Sequence, residues 1–354
     1  MRIAVAISGG VDSAVAALLI KRQRFDAVGI TMSFHLSRPN GFVKEMTGLH
    51  VVEDAARICE RLGIEHHLID VSAEMEKEVI EPFIAEYLRG RTPNPCIVCN
   101  RRLKFGLLFE KALSLGLVRF ATGHYAAVTA NGDSYYLQRA KDLRKDQTYF
   151  LYSLPKDMLP KLIFPLAGYT KEEVRQMALK AGIAVSEAKE SQDVCFMPEE
   201  GCGEFLISRG IDIKRGEIVD MQGKVVGEHK GIACYTVGQR GGLGISSPKP
   251  LYVIRIDPQN NRLIVSEKDD LKAKSLIADQ LNWLVDDPPL EAWAKIRYGH
   301  RAEKCSIEQR NDGNITVRFN KPQEAISCGQ SVVFYDHVTV LGGGVIKEVL
   351  RGDC

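Results

Sequence analysis

The sequence predicts an α/β fold, a doubly wound and mostly parallel sheet with two small mainly-β domains after it. Three observations carry that prediction. Apolar runs of strand length alternate with helical patterns through the first half of the chain. The chain opens on the run Ile3–Ile7, a turn at Ser8-Gly9-Gly10, and the helical stretch Ala14–Ile20. After about Phe205 the helical patterns nearly vanish, and short alternating segments separated by turn signals replace them.

Strands are expected at Arg2–Ile7, Asp26–Ser33, Glu65–Val71 and Val118–His124, and helices at Ser13–Arg22, Val51–Leu62, Ala73–Leu88, Asn100–Leu115 and Lys171–Ala181. The later β segments include Leu251–Ile256, Arg262–Ser266, Ile315–Phe319 and Ser331–Tyr335, with a turn at Asn311-Asp312-Gly313-Asn314. Gly238–Gly244 reads as an irregular loop, and Gly342-Gly343-Gly344 as a bulge or turn. The expected boundaries are residues 1–204 for the α/β domain, 205–272 for a small central β-rich domain and 273–354 for a C-terminal β-barrel-like domain. No internal repeat or low-complexity tract interrupts them.

Composition narrows the function class. With 354 residues and 45% apolar content, several cores are expected and no single one spans the chain. Lys and Arg total 47 against 45 Asp and Glu, so the net charge of +2 announces no polyanion partner, and any nucleic-acid surface must be local. Arg2 and the apolar run after it resemble a secretion signal, but Asp12 interrupts the run and no small-residue cleavage pattern follows. No stretch approaches the ~18 apolar residues of a membrane span, so a cytoplasmic protein with no membrane partner is expected. Nine cysteines in a reducing compartment then mean thiol, metal or redox chemistry sooner than a disulfide framework. Cys59, Cys234, Cys305, Cys328 and Cys354 stand singly and read as small packing residues; Cys202 is undecided.

The turn Ser8–Ser13 makes an anion site. A parallel strand that turns on two glycines into a helix aims free N–H groups and the positive helix end at one point. Gly9 and Gly10 admit a phosphate close to the backbone, Ser8 and Ser13 add donors, and Asp12 can orient a metal or brace the turn. No Gly-Lys-Ser/Thr follows, which excludes the ordinary NTPase loop. The bland reading is a Gly-rich strand-to-helix turn. Thr31-Met32-Ser33 ends the second strand beside the same crevice. Met32 there suits an adenine face or a core gap equally.

Between Tyr87 and Phe109 there is no acidic residue, while Arg89, Arg91, Arg101, Arg102 and Lys104 are all positive. That segment is a candidate phosphate-backbone contact, or else a solvated face. Inside it lies Arg91-Thr92-Pro93-Asn94-Pro95-Cys96-Ile97-Val98-Cys99-Asn100. The two prolines argue against a regular helix and for a stiff loop, with Asn100 capping the next helix. A thiol at a helix N-terminus among arginines is expected to have a lowered pKa, so thiolate character is expected at Cys99. Cys195 follows far downstream in Glu190–Met197. Two separated thiols, with a loop at Ser8–Ser13 that resembles that of the ATP pyrophosphatases, which adenylate a carbonyl-type oxygen, suit thiolation of an activated carbonyl: one thiol carries a persulfide, and the other releases its sulfur.

The hexapeptide Ser8–Ser13 resembles the loop of the ATP pyrophosphatase superfamily. The whole chain resembles the bacterial tRNA-specific 2-thiouridylase family. The resemblance rests on Ser8–Ser13, Thr92–Asn100 with Lys104-Phe105-Gly106, Thr122–Ala126, Lys145–Leu151, Ser191–Phe196, Thr236–Arg240 and Lys295–Tyr298. It implies ATP-dependent 2-thiolation of wobble uridine 34 in tRNAs for Lys, Glu and Gln, with ATP and Mg²⁺ bound. It also implies a tRNA partner and an upstream persulfide donor, a cysteine desulfurase or sulfur-relay protein. By resemblance Cys99 is the nucleophile and Cys195 the persulfide carrier, their disulfide being reduced each turnover. The implied ATP contacts are Ala6, Ile7, Ser8, Gly9, Gly10, Val11, Asp12, Ser13, Met32 and Gly123. The implied tRNA contacts are Asn94, Pro95 and Cys96 beside the target base, then His124, Lys145, Asp146, Gln147, Arg297, Tyr298 and Gln330. Read alone, His124 could equally be a capping or core histidine and Gln330 a turn residue.

One position departs from the family pattern. Many members have Asp where this chain has Cys96, and that Asp is assigned as a general base near the uridine; a thiol replaces it only with a suitably tuned pKa. Alternatively Cys96, Cys99 and Cys195 hold three irons of a [4Fe–4S] cluster, or zinc, one ligand short of a closed site. Other adenylating enzymes of the superfamily, an RNA-binding module that uses nucleotide as a switch, and a thiol oxidoreductase built on Cys96-x-x-Cys99 are the rival functions.

Overall fold

In the computed structural model, residues 1–37, 43–45, 49–183, 194–198 and 200–351 are described. The first sheet is parallel throughout, in the order Glu65–Asp70, Asp26–Ser33, Arg2–Ala6, Phe120–Ala121, Leu162–Ile163. Ile3, Ala4 and Val5 are all fully buried, as a strand covered on both faces requires. One face packs on Met75, Phe83, Leu103, Phe105 and Phe109, and the other on Ala14, Ile20, Ala55, Ile58 and Val174. Helices on both faces make the sheet doubly wound, as expected.

The helices Val11–Arg22, Leu49–Leu62 and Lys171–Lys180 start and end within a few residues of their predicted limits. Thr170 and Glu173 form a reciprocal capping box at the last of these, with Glu173 N–H donating to Thr170 Oγ1 at 3.2 Å. The stretch from Ser72 to Leu88 is helical but passes through a π-helical segment, Met75–Ile80.

The cysteine segment departs from expectation. Pro95–Cys99 is α-helical and runs directly into a π-helical segment, Asn100–Leu107, and then Leu108–Ser114. Pro95 stands in the first turn, where its missing N–H has no intrahelical partner to lose, so the proline starts the helix and does not prevent it. Asn100 lies inside the helical run and caps nothing; its Nδ2 donates to Phe150 O at 3.1 Å. Asn94 occupies the cap position without a side-chain cap.

Beyond residue 205 the four β segments named from the alternation appear, together with strands that it did not name. Four strands, Val225–His229, Gly216–Val219, Arg262–Ser266 and Tyr252–Asp257, form one sheet in that order. Six more close into a barrel: Lys272–Trp283, Ile315–Glu324, Glu303–Gln309, Glu291–Lys295, Ser331–Asp336 and Thr339–Leu350, the last pairing back on the first. Gly342–Gly344 lies within the Thr339–Leu350 strand, at its irregular registers. The expected strand over 118–124 shrinks to Phe120–Ala121, and a hairpin unpredicted from sequence, Ala126–Asn131 with Ser134–Arg139, follows it. That hairpin leaves the parallel sheet and joins the barrel's sheet beside the Thr339–Leu350 strand.

Candidate functional site

Ser8 emerges exposed at the carboxyl end of the central strand, where doubly wound sheets hold their ligands. Gly9 has φ +74°, and a Cβ there would lie 2.8 Å from Val51 O, so glycine is required twice over. Buried Ser13 ties the turn together: its hydroxyl donates to Gly10 O at 2.9 Å and accepts from Ser8 N–H at 3.1 Å. The helix Val11–Arg22 begins after Gly10 with no side-chain cap, leaving first-turn N–H groups for an anion. Ala6 and Ile7 lead into the turn. Ile7 N–H donates to Ile30 O at 2.9 Å, and Thr31 Oγ1 donates to Ile7 O at 2.8 Å. Half-buried Met32 packs on the same core as Ala6. Gly123 comes against the turn from the neighbouring strand end: a Cβ there would lie 2.7 Å from both Asp12 C and Ser13 N.

Asp12 braces the turn. Lys171 Nζ donates to its two carboxylate oxygens at 2.8 and 2.7 Å, and Tyr125 Oη donates to Oδ1 at 3.0 Å. Lys171 is only 3% exposed, so this ammonium is held under the turn as the partner of Asp12. Nothing in the sequence marks Lys171 for a role: it stands 159 residues from Asp12, at the start of an ordinary helix.

The thiols converge. Cys96 and Cys195 reach solvent, whereas Cys99 is buried. Burial pushes the Cys99 thiol up; the Lys104 ammonium opposes that and the neighbouring Cys96 charge adds to it. Burial likewise raises Cys96, with Lys104 again opposing. Cys195 is pushed up to about 12, by burial first and then by the charges of Cys99 and Cys96, Lys104 opposing. The expected lowering at Cys99 is therefore overturned, because its helix begins at Pro95, one turn earlier, and desolvation outweighs the charge beside it. Each thiol feels the same Lys104, which lies in the π-helical segment. Among the described residues no group of three or more His, Cys, Asp or Glu is arranged to hold a metal ion, Cys96, Cys99 and Cys195 included. Ser191–Asp193 and Cys354 lie outside the described residues.

Several of the residues expected to meet tRNA are held by contacts between elements. Gln330 Nε2 donates to Thr92 O at 2.8 Å and Thr92 N–H to Cys328 O at 2.8 Å, fastening the segment before Asn94, Pro95 and Cys96 to the barrel. Tyr298 lies on Phe150, ring centroids 4.6 Å apart, with exposed Arg297 beside it. Half-buried Lys145 donates its N–H to Asp142 O at 3.0 Å. Gln147 Oε1 accepts from Tyr125 N–H at 2.9 Å, and Asp146 is buried, accepting from Thr148 Oγ1 at 2.9 Å. His124 sits 5.7 Å from the Phe105 ring with Nδ1 2.8 Å from Thr122 Oγ1; burial and then Lys104 hold it well below the usual histidine range, hence neutral.

Three domain models match the chain: a tRNA methyl transferase HUP domain over residues 1–199, a tRNA methyl transferase PRC-barrel domain over 204–267, and an aminomethyltransferase beta-barrel domain over 273–346. The chain is 47% identical to the tRNA-specific 2-thiouridylase MnmA 1 of Syntrophus aciditrophicus (strain SB), covering 99% of this chain and 94% of that one. It is 44% identical to the tRNA-specific 2-thiouridylase MnmA of Carboxydothermus hydrogenoformans, covering 99% and 98%. A solved 4-thiouridine synthetase in complex with RNA and ATP shares 22% identity over 55% of this chain and 44% of its own, with a TM-score of 0.37, too loose a match to bear on this chain.

Proposed function

We propose, from the premise that this chain belongs to the tRNA-specific 2-thiouridylase family, how its residues carry out ATP-dependent 2-thiolation of uridine 34 in tRNA. The protein is a tRNA sulfurtransferase that uses ATP. The observation that carries our reading of the site is the gathering of Cys96, Cys99, Cys195 and Lys104 into one electrostatic neighbourhood.

ATP places its phosphates on the Ser8–Ser13 turn, against the first-turn N–H groups, with its adenine near Met32 and Gly123. Mg²⁺ would ride on those phosphates, since both oxygens of Asp12 are already taken by Lys171. The target base leaves the anticodon stack for the crevice beside Asn94 and Pro95. Uridine O2 attacks the α-phosphate, pyrophosphate leaves, and the O2-adenylate makes C2 electrophilic. The terminal sulfur of a Cys195 persulfide attacks C2, and the C2–O bond breaks as AMP departs. The Cys99 thiolate then attacks the Cys195 sulfur, forming a Cys99–Cys195 disulfide and freeing 2-thiouridine; a dithiol reductant returns two electrons before the next cycle. Alternatively Cys99 attacks first and the released sulfide adds to C2, with the same balance. Lys104 favours each anionic sulfur over its protonated form.

Cys96 remains protonated at neutral pH because burial raises its thiol, so the uridine N3 proton goes to another base. The three thiols do not fit an iron–sulfur cluster as arranged, and no step is routed through one. We assign the persulfide supply to a cysteine desulfurase or relay protein and the tRNAs for Lys, Glu and Gln as substrates. We place the reaction in the cytoplasm, where tRNA is; no helix among the described residues is long and apolar enough to cross a membrane.

The test is Cys195→Ser. It should bind tRNA as the parent does and form no 2-thiouridine, measured by nucleoside mass spectrometry after multiple turnovers. Retained multiple turnover would end the assignment.

A further inference from the structure

Where the Ser134–Arg139 strand, the 141–147 loop and the barrel strand Glu291–Lys295 meet, one carboxylate faces two cations. The Asp146 side chain is 4% exposed, and its oxygens accept from Thr148 Oγ1 at 2.9 and 3.0 Å. Arg139 Nε stands 3.8 Å from Asp146 Oδ2, an ion-pair distance and not a hydrogen bond. That Nε is buried with no hydrogen-bond acceptor among the described residues. The guanidinium carbon lies over the Tyr335 ring, 4.2 Å from its centroid. Half-buried Lys295 shares the same field: burial lowers its ammonium, Asp146 holds it up, and Arg139 pulls it down. Its Nζ is 5.7 Å from the Tyr298 ring centroid, at the edge of the tRNA-facing group.

A partly desolvated pocket with two cations to one carboxylate is short of a counter-anion. The aromatic walls, Tyr335 and Tyr298, cannot supply it. Asp146 is too deeply buried to reach out to a ligand, and Thr148 already occupies it. The Arg139 side chain stays 20% exposed, its Nε lacks an acceptor among the described residues, and the Lys295 ammonium adds a point charge to the same field; this pairing suits a phosphate.

We propose that Arg139 and Lys295 together hold one backbone phosphate of bound tRNA, and that Asp146 is the positioning residue behind them. The inference rests on the reading of this chain as a tRNA enzyme. It reassigns Asp146 from a contact to an anchor.

The experiment is fluorescence anisotropy of the full chain with an unmodified tRNA transcript carrying uridine 34, across a KCl series. Arg139→Met and Lys295→Met should each reduce the slope of log Kd against log salt by about 1. The double variant should lose about 1 as well, because the phosphate is shared. Arg139→Lys, which keeps the charge, should restore the slope. Lys295→Met changes a half-buried edge residue and keeps the test open if Arg139→Met fails to fold. Unchanged slopes with a lowered melting temperature would make the cluster a structural ion network and overturn the proposal. A loss of about 2 in the double variant would overturn the shared phosphate. Absence of salt-dependent tRNA binding by the parent protein would instead bring down the tRNA reading itself.

Discussion

Gly123→Ala tests whether the phosphate turn is built by close backbone approach. The added methyl would lie 2.7 Å from Asp12 C, 2.7 Å from Ser13 N and 2.9 Å from Asp12 O. Ordinary carbon contacts lie at roughly 3.5–4.0 Å, so the shortfall is about 1 Å, and it is against backbone that no rotamer change can remove. Overpacking of this kind costs about 1–3 kcal/mol. For a domain of this size each kcal/mol lowers the melting temperature by about 2–4 °C. The functional cost should be larger, because the atoms displaced open the helix that receives phosphate, and a misplacement of about 1 Å there is worth roughly a hundredfold in rate. The assay is tRNA-dependent AMP release beside a thermal melt. Gly168→Ala is the control, since a Cβ at Gly168 meets nothing within 4 Å and its φ is not positive. Parent-like AMP release by Gly123→Ala would refute the reasoning, whatever the melt shows.

Two further variants probe the charges around the site. Lys171→Met leaves the Asp12 carboxylate with Tyr125 but without its buried cation, and should cost about 3 kcal/mol by chemical denaturation; adding Asp12→Asn should recover part of that loss. Lys104→Met should slow iodoacetamide alkylation of Cys195, followed by peptide mass spectrometry. The reacting species is the thiolate and the Cys195 thiol is pushed up to about 12, so the parent rate should climb about tenfold per pH unit below that value. Removing a cation disfavours the anion, so the profile should move to higher pH, with slower reaction at any fixed pH.

Much of the first domain was legible because its signals are local. The run Ile3–Ile7 needs burial on both faces, Ser8-Gly9-Gly10 needs a turn that admits an anion, and Thr170 with Glu173 marks a helix start. The proline segment is misleading because a proline reads as a helix breaker; Pro95 sits where a helix tolerates one, and Cys99 therefore lies buried in the core and not at a helix entrance. The hairpin at 126–139 carries a readable cue, Gly132-Asp133 as a two-residue turn between the strands, with Gly132 at φ +59°. Its destination has no such cue, because nothing in Ser134–Arg139 names a partner strand some two hundred residues later. Lys171 is hidden for the same reason: a lysine at a helix start reads as solvated until the fold closes over Asp12. The thiol pKa values follow from desolvation, which only the packed structure determines.

That hairpin has a consequence for how the protein is made. Gln138 pairs with Thr339, and their side chains are 3.2 Å apart across 201 residues of sequence. At roughly 5–20 residues per second, a ribosome takes about 10–40 s to deliver the second partner after the first. Throughout that interval the Ser134–Arg139 strand has an open edge. Thr92, likewise, waits for Gln330 and Cys328. The turn at Ser8–Ser13 has its full brace once Lys171 has emerged, whereas the segment before Asn94 and the strand ending at Arg139 gain their barrel contacts only with the final strands. A nascent chain therefore completes the candidate phosphate turn well before the surface we propose for RNA, and a chain halted before Thr339 should never assemble the second.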